Sequence, residues 1–287
     1  MILITGATGQ LGNSIVTNLL KKIPASQIAV LARDEQKATS LAEQGVHVRI
    51  GSYQDPASLV HALQGIDTLL LISASDFSGR FEQHKNVIDA AKTAGVKHIF
   101  YTGVTLNEIN TSPLKPFLSD HFQTEEYIKA NGFTYTFLRN GLYAEVIPMF
   151  LGANVIETGV FFPASDGKVA FATRQDLAEA TATILASEGH ENNTYQLTGA
   201  TAYSFADVAA ALSELSGKDV PYVSPEPAIF EATLRQFGLP EPVIQLSALF
   251  AAGMKNNDFD TAFPTLEEFL GRKPTDLTTF LKATYGA

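Results

Sequence analysis

Ile2-Leu3-Ile4-Thr5-Gly6-Ala7-Thr8-Gly9-Gln10-Leu11-Gly12 is the stretch that decides the fold. An apolar run, Ile2–Thr5, reads as a strand, and Gln10–Lys22 reads as a helix with Leu11, Ile15, Leu19 and Leu20 on one face. Between them three glycines stand in Gly-x-x-Gly-x-x-Gly spacing. Glycines there permit a tight turn and close approach of the backbone, while the helix amino end offers unpaired N–H groups and a positive dipole to a pyrophosphate. Three glycines alone are a weak signal. Their position directly after a strand and before an amphipathic helix makes this a dinucleotide-binding turn, against the alternative of a purely structural one.

The pattern continues outward. Ile28–Ala32, Val46–Ile50, Thr68–Ser73, His98–Thr102 and Phe133–Leu138 read as further strands. Helices are expected over about 35–44, from Asp55-Pro56 to near Gly65, over Arg80–Ala94 before Gly95, and over His121–Asn131. The uninterrupted Leu69-Leu70-Leu71-Ile72 suits a strand buried on both faces. Strand–helix alternation of this kind predicts an α/β fold, a Rossmann-type doubly wound parallel sheet. Beyond residue 140 the rhythm changes to short pieces (Val160–Phe162, Val169–Phe171, Tyr195–Leu197) and, from Phe205, mostly helix. The expectation is a smaller, mostly helical C-terminal lobe, with Phe230, Phe237, Phe250, Phe259, Phe263 and Phe269 as its core or as the floor of an aromatic pocket.

Residue 33 speaks to the choice of dinucleotide. An acid at the end of the second strand grips a ribose 2′-hydroxyl, whereas arginine accommodates a 2′-phosphate. The chain has Arg33, then Asp34, with Lys37 one turn on. The reading is NADP(H); the alternative is a solvated arginine paired with Asp34 or Glu35. Ser73-Ala74-Ser75, after the fourth strand, has side chains small enough to let the backbone approach a cofactor, or is an ordinary polar turn. After the sixth strand Asn140 can orient a substrate oxygen, and Tyr143 can stack on or protonate a substrate or simply form a wall. His121 is a proton shuttle or a capping or surface histidine, and His84 lines a cleft or lies on the surface.

Composition bounds the chemistry. The 287 residues are 45% hydrophobic, with a formal charge of -10 and no cysteine. Disulfides, thiolate nucleophiles, iron–sulfur clusters and zinc ribbons are excluded. The six histidines show no close ligand spacing, and neither a metal nor a nucleic-acid partner is expected. No basic leader or run of about 20 apolar residues occurs, so the expectation is a cytoplasmic protein without a membrane partner. A homodimer is compatible with the sequence.

The segment Ile4–Gly12, together with Ala90–Ile99, Leu138-Arg139-Asn140-Gly141-Leu142-Tyr143 and Arg174-Gln175-Asp176-Leu177-Ala178, resembles the NmrA-like atypical short-chain dehydrogenases. Within them the resemblance is to the bacterial quinone oxidoreductase and triphenylmethane reductase branch. It implies an NADP(H)-binding Rossmann domain over 1–150 and a substrate-cleft lobe over 151–287, with segments around 169–198 returning to the sheet. Gly6, Gly9 and Gly12 would shape the phosphate loop, with contacts from Thr8, Gln10 and Leu11. Arg33 and Lys37 would hold the 2′-phosphate, Ser73 and Ala74 the nicotinamide ribose, and Asn140 and Tyr143 a small aromatic or quinone substrate. Some members of the family instead bind the dinucleotide as sensors without turnover.

One departure bears on mechanism. Ordinary short-chain dehydrogenases carry Tyr-x-x-x-Lys as a proton-transfer pair. No such pair occurs here, and His121 and Glu125 stand at the corresponding spacing. Quinones need less help, because hydride addition leaves an aromatic phenolate that water can protonate. The expected activity is therefore direct hydride transfer from NADPH to a quinone or similar flat electrophile. A sensor that binds a protein partner is the alternative.

Overall fold

In a computed structural model, which describes residues 1–76 and 79–286, the apolar runs of the first 140 residues form β1 (Ile2–Ile4), β2 (Ile28–Ala32), β3 (His47–Ile50), β4 (Thr68–Leu71), β5 (His98–Val104) and β6 (Thr134–Asn140). They lie in the order β3-β2-β1-β4-β5-β6, and the strand Asn193–Leu197 completes the far edge. The neighbours β1 to β6 all pair in parallel; Leu3 stands opposite Ala29 on one side and Leu69 on the other. Chain order reverses between β1 and β4, and in open parallel sheets the crevice outside the strands' carboxyl ends at that switch point is where ligands bind.

Five helices join these strands: α1 (Gln10–Leu19), α2 (Thr39–Glu43), α3 (Pro56–Ala62), α4 (Arg80–Ala94) and α5 (Lys115–Ala130). Local chemistry sets their ends. The Asp55 carboxylate accepts from the Ala57 and Ser58 N–H groups, and Pro56 takes the first helical position, where a missing N–H loses nothing. Gly95 closes α4 at φ 80°, a conformation that favours glycine. Leu3, Leu69, Leu71, Ile99, Tyr101 and Phe137 from the sheet pack against Leu59, Val87, Ile88 and Ile128 from α3 to α5, all fully or almost fully buried. On the other face α1 packs against the helix Arg174–Leu185. Most boundaries shift by one to three residues, and two elements differ more. α5 begins at Lys115, six residues before His121, because Pro116 fits a first helical turn; the helix expected over 35–44 is a 3-10 turn, Gln36–Ala38, followed by the short α2.

Two compact units are present. The first comprises residues 1–104, 117–140 and 174–196; the second comprises 105–116, 141–173 and 197–287. The sequence boundary after 150 thus compares with contacts that divide the chain after Asn140 and interleave it. In the second unit Phe162 packs tilted against Phe205 and meets Phe230 edge-on, while Phe250 stacks on the buried Phe259. Phe237 and Phe263 are exposed, at 75% and 39%, and do not belong to that core as the sequence suggested. Among the described residues no helix is long and apolar enough to cross a membrane.

Candidate dinucleotide site

The loop after β1 turns through Gly6, which has φ 60°. The Gly9 N–H donates to the Gly6 carbonyl at 3.0 Å, and Gly9 then caps α1 from an extended conformation. No acidic residue occupies the first turn of α1 and no side chain caps it, so its amino end keeps its positive dipole and N–H groups without helical acceptors. Thr8, Gly9 and Gln10 are exposed, while Leu11 packs inward and offers only its backbone. A Cβ on Gly9 would meet nothing but the Gly6 oxygen at 3.3 Å, leaving open space in front of the helix. A cradle of bare backbone N–H groups facing open space fits a pyrophosphate.

The ends of β1 and β4 are tied side by side. The Thr5 hydroxyl accepts from the Ile72 N–H at 2.9 Å, and the Tyr53 hydroxyl reaches both Thr5 Oγ1 at 2.5 Å and the Ile72 carbonyl at 2.8 Å. Burial pushes the Tyr53 phenol well above its usual range, and the nearby positive charge of Arg33 opposes that rise. Arg33 follows β2 directly and is exposed. The Asp34 carboxylate accepts from the Gln36 N–H at 2.9 Å, and neither Arg33 nor Lys37 has an ion-pair partner among the described residues. The alternative in which Asp34 or Glu35 neutralises Arg33 is not what the structure shows. Two unneutralised cations on the 33–37 turn suit a phosphomonoester.

Ser73 and Ala74 continue from β4. The Ser73 N–H donates to Thr102 Oγ1 and the Ala74 N–H to His84 Nε2, both at 2.9 Å. Asn140 ends β6, paired with Val104. It is 3% exposed, and neither Nδ2 nor Oδ1 finds a partner among the described residues. Buried amides are nearly always hydrogen-bonded, so this amide has donor and acceptor capacity that no described side chain or backbone group uses. Tyr143 belongs to the second unit, half-buried in a backbone bridge to Ala172.

His121 is neither a cap nor a surface residue. It lies inside α5, buried, with Nε2 3.3 Å from Arg80 Nη1 and Nδ1 2.9 Å from Tyr101 Oη. Burial and the Arg80 charge hold its pKa well below 6.5. Glu125, at the other position of the missing pair, is gripped by Arg139 through two hydrogen bonds of 2.9 and 2.6 Å. His84 is fully buried, and burial followed by the Arg80 charge lowers it to about 3. Arg80 and Tyr53 escaped the sequence reading. The one signal for Arg80 was a basic residue at the first position of a helix, where the dipole disfavours it.

The depressed histidines have a consequence for pH. A histidine whose folded pKa lies below its unfolded value of about 6.5 contributes no destabilisation above that pH, and stability falls as pH drops from there toward the folded pKa. His84 should remove about 2 kcal/mol between pH 7 and pH 5, and His121 acts in the same direction. Urea midpoints measured across that range should fall while the His84 ring resonance stays at its neutral position. A ring that titrates near pH 6.5 would contradict this.

The model of the NmrA-like family matches residues 1–281. Quinone oxidoreductase 2 of Escherichia coli (strain K12) is 43% identical over 278 residues, covering 96% of each chain. The NAD(P)H azoreductase of Xenophilus azovorans is 30% identical, covering 99% of this chain and 97% of that protein. Among solved structures, the Escherichia coli NADPH-dependent quinone oxidoreductase complexed with NADPH superposes with a TM-score of 0.93 at 41% identity over 99% of each chain. The Citrobacter sp. triphenylmethane reductase complexed with NADP(H) superposes at 0.92 and 38% identity, over 99% of this chain and 100% of that one. Sheet order, glycine loop and full-length similarity agree: the chain belongs to the NmrA-like family.

Proposed function

We propose that this oxidoreductase binds NADPH and reduces a quinone or a similar flat electrophile by direct hydride transfer. The observation that carries the cofactor half is the pair of unneutralised cations, Arg33 and Lys37, on the same sheet edge as the exposed glycine loop. In this reading Gly6, Thr8, Gly9, Gln10, Leu11 and Gly12 surround the pyrophosphate, Arg33 and Lys37 hold the 2′-phosphate, and Ser73 and Ala74 border the nicotinamide ribose. The reduced nicotinamide, when bound, supplies the hydride. The chain's own task is then to orient the acceptor and exclude competing chemistry.

Direct transfer is supported by what the fifth helix lacks. His121 is neutral with both ring nitrogens engaged, and Glu125 is committed to Arg139. Neither is available to protonate a ketone oxygen. A quinone tolerates this, since the hydride's electron pair aromatises the ring and water protonates the resulting phenolate. His121 is accordingly read as a structural residue and not as the proton donor expected above, while Tyr143 remains the wall or acid on the substrate side. Purified protein should consume NADPH when a small benzoquinone or a triarylmethane dye is added. Tight binding of NADPH with no turnover on either would instead favour the sensor.

Asn140 supplies a sharper prediction. A buried amide without partners costs about 1–3 kcal/mol, so removing it should relieve strain in the free protein. Asn140→Leu is expected to melt at the native temperature or above while quinone turnover falls by about tenfold or more. A variant that loses stability and keeps its turnover would remove Asn140 from the substrate site.

A further inference from the structure

Both peptide groups flanking Ala74, beyond β4, are held by buried, ionisable side chains of α4. The Ala74 N–H donates to His84 Nε2 at 2.9 Å, and the Ala74 carbonyl accepts from Arg80 Nε at 3.0 Å. Arg80 is 3% exposed and His84 is fully buried. Enclosing a guanidinium this deeply is expensive, and two backbone carbonyls on neighbouring segments are among the acceptors that compensate it. The second is the Phe117 carbonyl at the start of α5, which accepts from Nη1 at 2.9 Å.

The network has one polarity throughout. A backbone N–H can only donate, so His84 Nε2 is the acceptor and the neutral ring carries its proton on Nδ1. That proton goes to Thr124 Oγ1 at 2.9 Å, whose own hydroxyl donates to the Asp120 carbonyl at 2.7 Å. A guanidinium likewise only donates, so His121 Nε2 accepts from Arg80 and His121 Nδ1 donates to Tyr101 Oη. Every link is directional, and two of them end on Ala74, while its neighbour Ser73 is fixed by Thr102.

We propose that Arg80 and His84 are positioning residues, which hold the backbone of Ala74, through the Ala74–Ser75 and Ser73–Ala74 peptides respectively, at the carboxyl end of β4 in the orientation that hydride transfer requires. The inference rests on the reading of this edge as the nicotinamide end of the dinucleotide site. Neither side chain touches the cofactor in this scheme; each acts through the backbone of Ala74. Affinity, carried by the glycine loop and Arg33, is therefore separable from turnover. Small misplacements of reacting groups lower rate far more than they lower binding.

The test uses the full chain and four proteins: native, His84→Leu, His84→Gln and Arg80→Lys. NADPH affinity is read by fluorescence titration, kcat and KM with a small benzoquinone, and Tm by calorimetry. His84→Leu and Arg80→Lys should lose about tenfold or more in kcat while the NADPH Kd changes by less than about threefold. Glutamine can place an oxygen acceptor near the former Nε2 position, so His84→Gln should recover most of the lost kcat. If the leucine variant does not fold, Arg80→Lys against His84→Gln carries the same comparison. Unchanged kcat in His84→Leu and Arg80→Lys overturns the inference, as does a parallel fall of kcat, Kd and Tm that glutamine does not rescue. A native protein that binds no NADPH, or binds it without turnover, overturns instead the reading on which the inference stands.

Discussion

Gly12→Ala is expected to abolish useful NADPH binding, with a loss of roughly 10- to 100-fold for an overpacking penalty of about 1–3 kcal/mol. A methyl group at residue 12 would sit 2.2 Å from the Gly6 oxygen, 2.7 Å from the Gly6 carbonyl carbon and 2.8 Å from the Ala7 Cα. All three are backbone atoms, so no rotamer change can relieve the clash. The Gly6 oxygen is also the acceptor that closes the turn onto the Gly9 N–H. Displacing Gly6 therefore distorts the whole loop. Gly9→Ala makes the informative control, since its methyl would fill open space and touch only one atom at 3.3 Å. It should melt like the native protein yet bind NADPH more weakly, by occupying the room a pyrophosphate needs. Calorimetric melting and fluorescence titration of both variants distinguish loop collapse from blocked space. Near-native affinity in Gly12→Ala would mean that this turn does not bind the cofactor.

What was legible in the sequence was whatever periodicity and backbone chemistry write locally. β2 runs from Ile28 to Ala32 as read, because a strand buried on both faces must be apolar throughout. α4 ends at Ala94 because Gly95 adopts a left-handed conformation that terminates helices. The start of α5 was hidden, since Ser112, Pro113 and Pro116 look like a loop even though a first helical turn accepts proline. The site divides in the same way. The glycine loop and Arg33 announce themselves through spacing and position in the strand–helix pattern. Arg80 and His84 do not, because their partners are the backbone of Ala74 and the carbonyl of Phe117. Backbone acceptors carry no signature in the one-letter code, and only the fold brings them to a side chain. The orphaned amide of Asn140 was legible as a polar residue at a strand end, but its lack of partners is a property of three dimensions.

Arg33→Ala should weaken NADPH binding by about 10- to 100-fold and leave NADH affinity within about threefold, because hydrogen bonds to charged groups contribute about 1.5–3 kcal/mol. The neighbour of Arg33, Asp34, is occupied with the Gln36 N–H, and no other described carboxylate pairs with the guanidinium. A free planar fork at the end of β2 matches a phosphate in two parallel hydrogen bonds, so its whole interaction is available to the ligand. The exposed Lys37 adds only a point charge, so Lys37→Ala should cost about threefold at most, and that loss should shrink in high salt. The formal charge of -10 does not oppose this. Screening confines the distant carboxylates to about a Debye length, roughly 8–10 Å, whereas the phosphate would meet Arg33 at contact distance. Titrating both dinucleotides against native protein, Arg33→Ala and Lys37→Ala gives the selectivity directly. An Arg33→Ala protein that keeps its preference for NADPH would place the 2′-phosphate elsewhere on the chain. A protein that loses affinity for both dinucleotides equally would show that the substitution has disturbed the β2 end, next to Tyr53, and not removed a specific phosphate contact.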